Sequence, residues 1–239
     1  MDLIEKTAFK GNRHPWELSR RDSLLMLLKK KPFGLQYADI GSGDLFFSLS
    51  LEGYADKIWA FDKAYAQEDK NGKIKKINSL SSIPQESVDV VLALDVLEHV
   101  EDEAGFLYSL NRIIKPGAEF IITVPAYQFL FTGHDKFLKH LRRYNYQKLS
   151  GLIQVSGLKV EEGFYFYSTL VLPRAIIKLK EKFFGVSCQC GASGWRFGRG
   201  HALTFLFRGL LNFDFYLNRI LSKAGIKLPG LSICMVCKK

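Results

Sequence analysis

The stretch Asp39-Ile40-Gly41-Ser42-Gly43-Asp44 closes a short apolar run and opens a helix-like one, Leu45 to Leu51. Two glycines there let the backbone turn tightly and come close to a ligand. A strand, a glycine-rich turn and a helix make the first part of a βαβ unit, and the pattern goes on. Lys57 to Phe61 reads as a second strand and Lys73 to Ile77 as a weaker third. Val88 to Leu94 is a continuous apolar run, as expected of a strand covered on both faces. Residues 101–114 read as a helix stopped by Pro116-Gly117, and Phe120 to Val124 as a fifth strand. Such alternation predicts an α/β fold with a doubly wound, mostly parallel sheet. In these sheets ligands bind past the C-terminal ends of the strands, here residues 39–44, 62–63, 78–80, 95–99 and 125–144.

The turn also limits the ligand. A dinucleotide fingerprint needs a third glycine at position 46, where this chain has Phe46. Asp39, just before the turn, repels a phosphate and suits an ammonium or sulfonium group. Asp62 ends the second strand, 21 residues after Gly41, where a carboxylate can accept hydrogen bonds from both hydroxyls of a ribose. The spacing points to an adenosine-type ligand without a diphosphate.

Several segments together resemble the class I S-adenosylmethionine-dependent methyltransferases over roughly residues 35–160. They are ADIGSGD, WAFDKA, INSLSSIPQESVDVVLALDVLEHVED and LNRIIKPGAEFIITVPA. The resemblance implies a seven-stranded Rossmann-like methyltransferase sheet, with S-adenosylmethionine as cofactor and S-adenosylhomocysteine as product. It places Asp39, Gly41, Ser42 and Gly43 around the methionine part of the cofactor. Asp62, with Lys63 beside it, falls at the ribose and Asn78 and Ser79 at the adenine. Leu94, Asp95 and His99 border the ligand at the end of the fourth strand. Glu98 and His99 could equally be a local carboxylate-imidazole pair at a helix start. The Asn/Asp-Pro-Pro-aromatic motif of enzymes that methylate base amines is absent, which makes nucleic acid an unfavoured acceptor.

The segment after the fifth strand, VPAYQFLFTGHDKFLKHLRRYNYQKL, stands where an acceptor should sit. Its His134-Asp135, His140 and Arg142-Arg143-Tyr144 resemble a subset of bacterial and archaeal methyltransferases, as HPWELSRR resembles their N-terminal cap. Methyl transfer needs alignment, exclusion of water and, for a hydroxyl acceptor, a base. His134 and His140 are the candidate bases. Tyr127, Arg142, Arg143 and Tyr144 are the candidate acceptor contacts, the guanidiniums suiting a phosphate or carboxylate. The alternative is that a histidine and the RRY run only fix the loop through backbone carbonyls.

The charge is uneven. Residues 1–167 hold 22 basic and 22 acidic side chains, whereas residues 168–239 hold 12 basic and two acidic, so the whole +10 excess lies in the last third. That third predicts an apolar-basic helix over roughly 170–184, a glycine-rich loop (GVSCQCGASGWRFGRG) and a second apolar helix over roughly 202–222. A final strand, Leu231 to Lys238, follows. Four divisions result: a helical cap over 1–34, the cofactor-binding core over 35–167, a basic helical insertion over 168–228 and the last strand over 229–239. The insertion could serve as a lid over the acceptor, as a contact with an anionic membrane surface, or as a homodimer interface. Trp195, Arg196 and Arg199 are the one place where stacking on RNA is plausible. Cys188, Cys190, Cys234 and Cys237 have a zinc-like spacing. Cys234 and Cys237 sit three apart on a strand, hence on opposite faces, so thiols without metal are expected. The apolar stretch Phe164 to Ile177 is interrupted by Ser168, Thr169, Pro173 and Arg174, and no basic-then-apolar leader opens the chain. A cytoplasmic enzyme is expected, one that could touch a membrane. The reading as a whole is a methyltransferase acting on a small-molecule or lipid-linked acceptor, at oxygen. Its rivals are an RNA-directed methyltransferase and a cofactor-binding scaffold without turnover.

Overall fold

The computed structural model describes residues 13–29, 31–185, 197–198 and 200–239. Cys188, Cys190, Trp195, Arg196 and Arg199 lie outside the described residues. The strands are β1 Leu35–Ile40, β2 Ala55–Phe61, β3 Ile74–Ile77, β4 Val88–Leu94, β5 Ile114–Pro125, β6 Lys159–Phe166 and β7 Ser232–Lys238. They form one sheet in the order β3-β2-β1-β4-β5-β7-β6. The helices are α1 Pro15–Leu28, α2 Phe46–Leu51, α3 Glu103–Ile113, α4 Gly133–Phe137, α5 Tyr146–Val155, α6 Val171–Phe184 and α7 Ala202–Lys223.

Strands β3 to β5 pair in parallel, as the alternation predicts. At β7 the direction changes. The Lys239 N–H donates to Ala118 and the Ala126 N–H to Leu231, so β7 runs against β5 and the sheet is mixed. The chain winds outward from β1 to β3 and restarts at β4, which lies on the other side of β1. That reversal makes a crevice between the C-terminal ends of β1 and β4. The register brings the ends level: Ile40 faces Phe61 and Ala93, Phe61 faces Ile77, and Leu94 faces Thr123. Residues 41–44, 62–63, 78–79 and 95 therefore leave the sheet along one edge.

The chain divides into two compact units, one from residues 31–124, 145–163 and 234–239, the other from 1–30, 125–144 and 164–233. In the first, Val88, Val90, Val91, Leu92 and Ala93 are all buried, so β4 is covered on both faces. Each such Val or Leu contributes about 1.5–3 kcal/mol by leaving water. Asp89 is the polar exception. Its carboxylate accepts the Gln36 N–H at 2.8 Å and the Lys115 ammonium at 2.6 Å. Cys234 and Cys237 are both buried on β7, and burial pushes the Cys237 thiol up to about 12.

One boundary differs from the sequence reading. Pro116-Gly117 does not separate a helix from a strand that starts at Phe120. Helix α3 ends at Ile113 and β5 begins at the next residue, with Ile114 facing Val88. The register then shifts, and Glu119 is the next residue on β5 to face β4. The irregularity absorbs the proline, which has no N–H for the ladder, and Gly117 at φ 76°.

In the second unit, α1 begins at a capping box. The His14 ring nitrogen accepts the Trp16 N–H at 3.2 Å, and the Glu17 carboxylate accepts the His14 N–H at 3.3 Å. Leu18, Leu24 and Leu28 are its buried face, while the Arg208 guanidinium of α7 donates to Asp22. Among the described residues, no helix is long and apolar enough to cross a membrane.

Candidate active site

The turn after β1 is held by the chain around it. The N–H groups of Gly41 and Ser42 donate to the Phe61 carbonyl at 2.8 and 3.0 Å, and the Gly43 N–H donates to the Asp62 carboxylate at 2.9 Å. Gly41 and Gly43 have φ 72° and 51°. A Cβ on Gly41 would lie 2.5 Å from Cγ2 of Val96, so the turn after β1 packs directly on the turn after β4. Asp39 is buried and accepts the Ser48 hydroxyl at 2.5 Å. Tyr65 closes the turn from outside. Its hydroxyl lies 2.8 Å from the Ser42 hydroxyl and donates to the Gly43 carbonyl at 2.8 Å. Burial pushes the Tyr65 phenol up, against the Ser42 hydrogen bond and with help from Asp62, Asp39 and Asp44, so it stays a donor.

Asp62 is half-buried and also accepts the Ala64 N–H at 2.9 Å; Lys63 is exposed. The exposed Asn78 donates its amide N–H to the Tyr65 carbonyl at 3.2 Å, which fixes its carbonyl oxygen as the acceptor end. Ser79 caps a 3-10 turn, Leu80–Ser82, by accepting the Ser81 N–H at 3.3 Å. Leu94 is half-buried at the end of β4. Asp95 follows with φ 54°, a conformation side chains other than glycine rarely adopt. It is held by its N–H to the Thr123 carbonyl and by the Thr123 hydroxyl to its carboxylate, both at 2.9 Å. His99 is half-buried in the 3-10 turn Leu97–His99. The eleven residues expected at the cofactor thus belong to one unit and gather at one sheet edge. The donor set is carboxylates, a hydroxyl and an amide carbonyl, without a lysine or arginine in the turn. It fits a ribose and a cationic group and disfavours a diphosphate.

The segment expected to meet the acceptor is built around Asp135 on α4. Asp135 is fully buried. It accepts the Thr132 N–H at 2.8 Å, the Arg143 guanidinium at 2.8 Å, the Arg174 guanidinium at 2.5 Å and Nδ1 of His140 at 2.9 Å. Burial pushes this carboxyl up, but His140, Arg143 and Arg174 outweigh burial and hold it well below the usual carboxylate range. Because an ionised carboxylate only accepts, the proton of a neutral His140 sits on Nδ1, and Nε2 is its basic nitrogen.

Arg143 is buried, and its guanidinium also donates to the Ala126 carbonyl at 3.1 Å. Its backbone N–H donates to the Gln128 side chain at 2.8 Å. Tyr144 is fully buried, and its backbone pairs with Pro125 and Tyr127 across the loop. Arg142 and His134 are half-buried. Tyr127 has φ 62° and stacks on Tyr165 with centroids 5.1 Å apart and planes at 10°. Phe129 lies 5.4 Å away and is exposed. Burial, then the neighbouring Tyr165, push the Tyr127 phenol up.

The sequence reading had not assigned Ser48, Tyr65, Val96, Thr123, Tyr165 or Arg174 to the site. Thr123 carries a visible signal, a polar residue inside the apolar run FIITVP, and so does Arg174 inside an apolar-basic helix. Tyr65 and Tyr165 carry none, since an aromatic near a turn or on a strand is ordinary.

A model of the methyltransferase domain family matches residues 16–168. A protein of Mycolicibacterium smegmatis named a probable S-adenosylmethionine-dependent methyltransferase is 34% identical over 82 residues, 34% of this chain and 32% of that protein. A ubiquinone biosynthesis O-methyltransferase of Paramagnetospirillum magneticum is 33% identical over 112 residues, 42% of this chain and 43% of that enzyme. The chain thus spans less than half the length of these curated relatives. The crystal structure of an S-adenosylmethionine-dependent methyltransferase from Mesorhizobium loti superposes with a TM-score of 0.56 at 14% identity, over 90% of this chain and 96% of that one.

Proposed function

The chain belongs to the class I S-adenosylmethionine-dependent methyltransferases, and we propose that it methylates a hydroxyl of a small-molecule or lipid-linked acceptor with His140 as the base. Asp62 would hold the ribose hydroxyls, Asn78 would accept from the adenine amine, and Asp39 and the turn 41–43 would hold the methionine end. When bound, the cofactor supplies a methyl group on a sulfonium. The chain's part is to align the acceptor, exclude water and take up one proton. His140 Nε2 would accept the proton of the acceptor hydroxyl. The product of the cofactor is then S-adenosylhomocysteine.

The observation that carries this reading is the Asp135–His140 contact. A buried, firmly ionised carboxylate orients the imidazole and stabilises the cation it becomes, the same logic that positions histidine in hydrolytic triads. Arg143, already held by Asp135 and Ala126, is assigned to fix the loop. Arg142, whose guanidinium suits a phosphate or carboxylate, is the candidate to meet an acceptor anion. The stacked Tyr127 and Tyr165 with exposed Phe129 suit the flat or apolar body of an acceptor. The ubiquinone O-methyltransferase relatives support oxygen as the atom methylated.

The test is turnover of S-adenosylmethionine against panels of phenols, alcohols and amines. His140→Ala is expected to lower turnover on a phenol by about 10²–10⁴-fold while leaving S-adenosylhomocysteine affinity intact. His134→Ala is expected to leave most of the turnover. Full activity in His140→Ala, or methylation of amines alone, overturns the assignment.

A further inference from the structure

Helix α6 is turned the wrong way round for a helix covering a core. Arg174, Lys178 and Glu181 are spaced four and three apart and so share one face. All three bond to the loop before and within α4: Arg174 to Asp135, Lys178 to the Phe131 carbonyl and Glu181 to the Gly133 N–H. No residue of α6 is buried. Its apolar stripe, Leu172, Ile176, Leu179 and Phe183, follows the same spacing on the opposite face and is exposed, with Phe183 at 73%. Helix α7 repeats the arrangement. Thr204, Leu211, Asp214, Phe215 and Asn218 form its buried face. Leu203, Leu206, Leu210, Phe213, Leu217 and Ile220 run along the other side and are all exposed.

We infer that the outward faces of α6 and α7 dock on an anionic lipid bilayer, lying in its interface. An unpartnered apolar stripe on two helices needs an apolar occupant. Charge decides which one. Lys180 and Lys182 stand exposed on either side of the α6 stripe, and Lys223 stands exposed at the end of α7. Their lengths let the ammonium groups reach head groups while the stems lie along apolar surface. The only acidic residues of the last third, Glu181 and Asp214, are both turned inward. Glu181 accepts the Gly133 N–H, and Asp214 accepts the Ser168 and Thr169 N–H groups and the Asn218 amide. A second copy would set like charges against each other, whereas an anionic bilayer complements them. Neither helix meets the length and hydropathy needed to cross, so the contact is with the surface. The inference does not depend on the acceptor assigned above.

The test is co-sedimentation of the full chain with vesicles of phosphatidylcholine alone and of phosphatidylcholine with phosphatidylglycerol, at low and high salt. Binding is expected only with phosphatidylglycerol and is expected to weaken as salt rises. The double variant Lys180→Glu/Lys182→Glu is expected to bind more than about tenfold more weakly. Leu206→Ser/Phe213→Ser, which alters only exposed positions, is expected to lose binding. Both variants are expected to retain the wild-type melting temperature and S-adenosylhomocysteine affinity, which separates failure of docking from failure of the functional reading. Protein left in the supernatant with phosphatidylglycerol at low salt overturns the inference. So does equal binding to both vesicles, or a dimer that Phe213→Ser disperses without any lipid dependence.

Discussion

The cofactor edge and the acceptor loop are held together in different ways. The turn after β1 is held by uncharged donors, two backbone N–H groups and a hydroxyl: Gly41 to Phe61, Gly43 to Asp62, Ser48 to Asp39. The loop around Asp135 is held by side-chain charge, part of it from nearby His140 and Arg143 and part brought from far along the chain, with Arg174 39 residues away and Glu181 48 residues from Gly133. The first needs small residues and particular dihedrals. The second needs complete charge pairing, because a buried cation without its carboxylate is costly. The two should therefore fail differently, the loop through stability and the edge through affinity.

The largest effect is expected at the loop. Asp135→Asn removes the carboxylate that pairs with the Arg143 and Arg174 guanidiniums. A loss of about 3–5 kcal/mol follows, roughly 10 °C or more in melting temperature by calorimetry. A change within about a degree would show that the charges there are not coupled as described.

At the cofactor edge the expected loss is of binding. Gly41→Ala must hold φ 72° with a methyl that meets Val96 at 2.5 Å. Strain of roughly 1–2 kcal/mol plus the overlap should weaken S-adenosylhomocysteine by more than about tenfold. The fold should survive, since the turn lies outside the core strands. If Gly41→Ala instead unfolds the protein and Asp135→Asn only lowers affinity, the contrast is reversed.

The smallest effect is one of pH. Burial pulls the His14 imidazole down from 6.5 to about 4, and its neutral nitrogen accepts the Trp16 N–H that caps α1. A folded value below the unfolded one means that the contribution is complete above 6.5 and is lost as pH falls toward 4. The melting temperature should drop across that window. His14→Asn, whose amide oxygen caps a helix at any pH, should flatten the drop. An unchanged slope in that variant would remove His14 from the account.

The same contrast explains what could be read beforehand. Strands β1 to β4, the crevice at β1 and β4 and the residues leaving that edge were legible, because a glycine-rich turn and apolar runs are local signals. Helices α6 and α7 were legible as elements, but not the roles of their faces. Arg174 read as an interruption in an apolar stretch, and nothing in its neighbourhood names Asp135 as its partner. Arg143 carried a reading as an anion clamp because a guanidinium suits phosphate. In the fold its partners are Asp135 and the Ala126 carbonyl. The start of β5 was misplaced because a proline and a glycine together usually stop a strand, and here a bulge takes them in.

The central claim is that the carboxylate after β2 helps hold the nucleoside at this edge. Calorimetric titration of S-adenosylhomocysteine into the wild-type chain and into Asp62→Ala tests it. Measurable binding by the first and an affinity about tenfold to a hundredfold weaker in the second are expected. Equal affinities would contradict the claim.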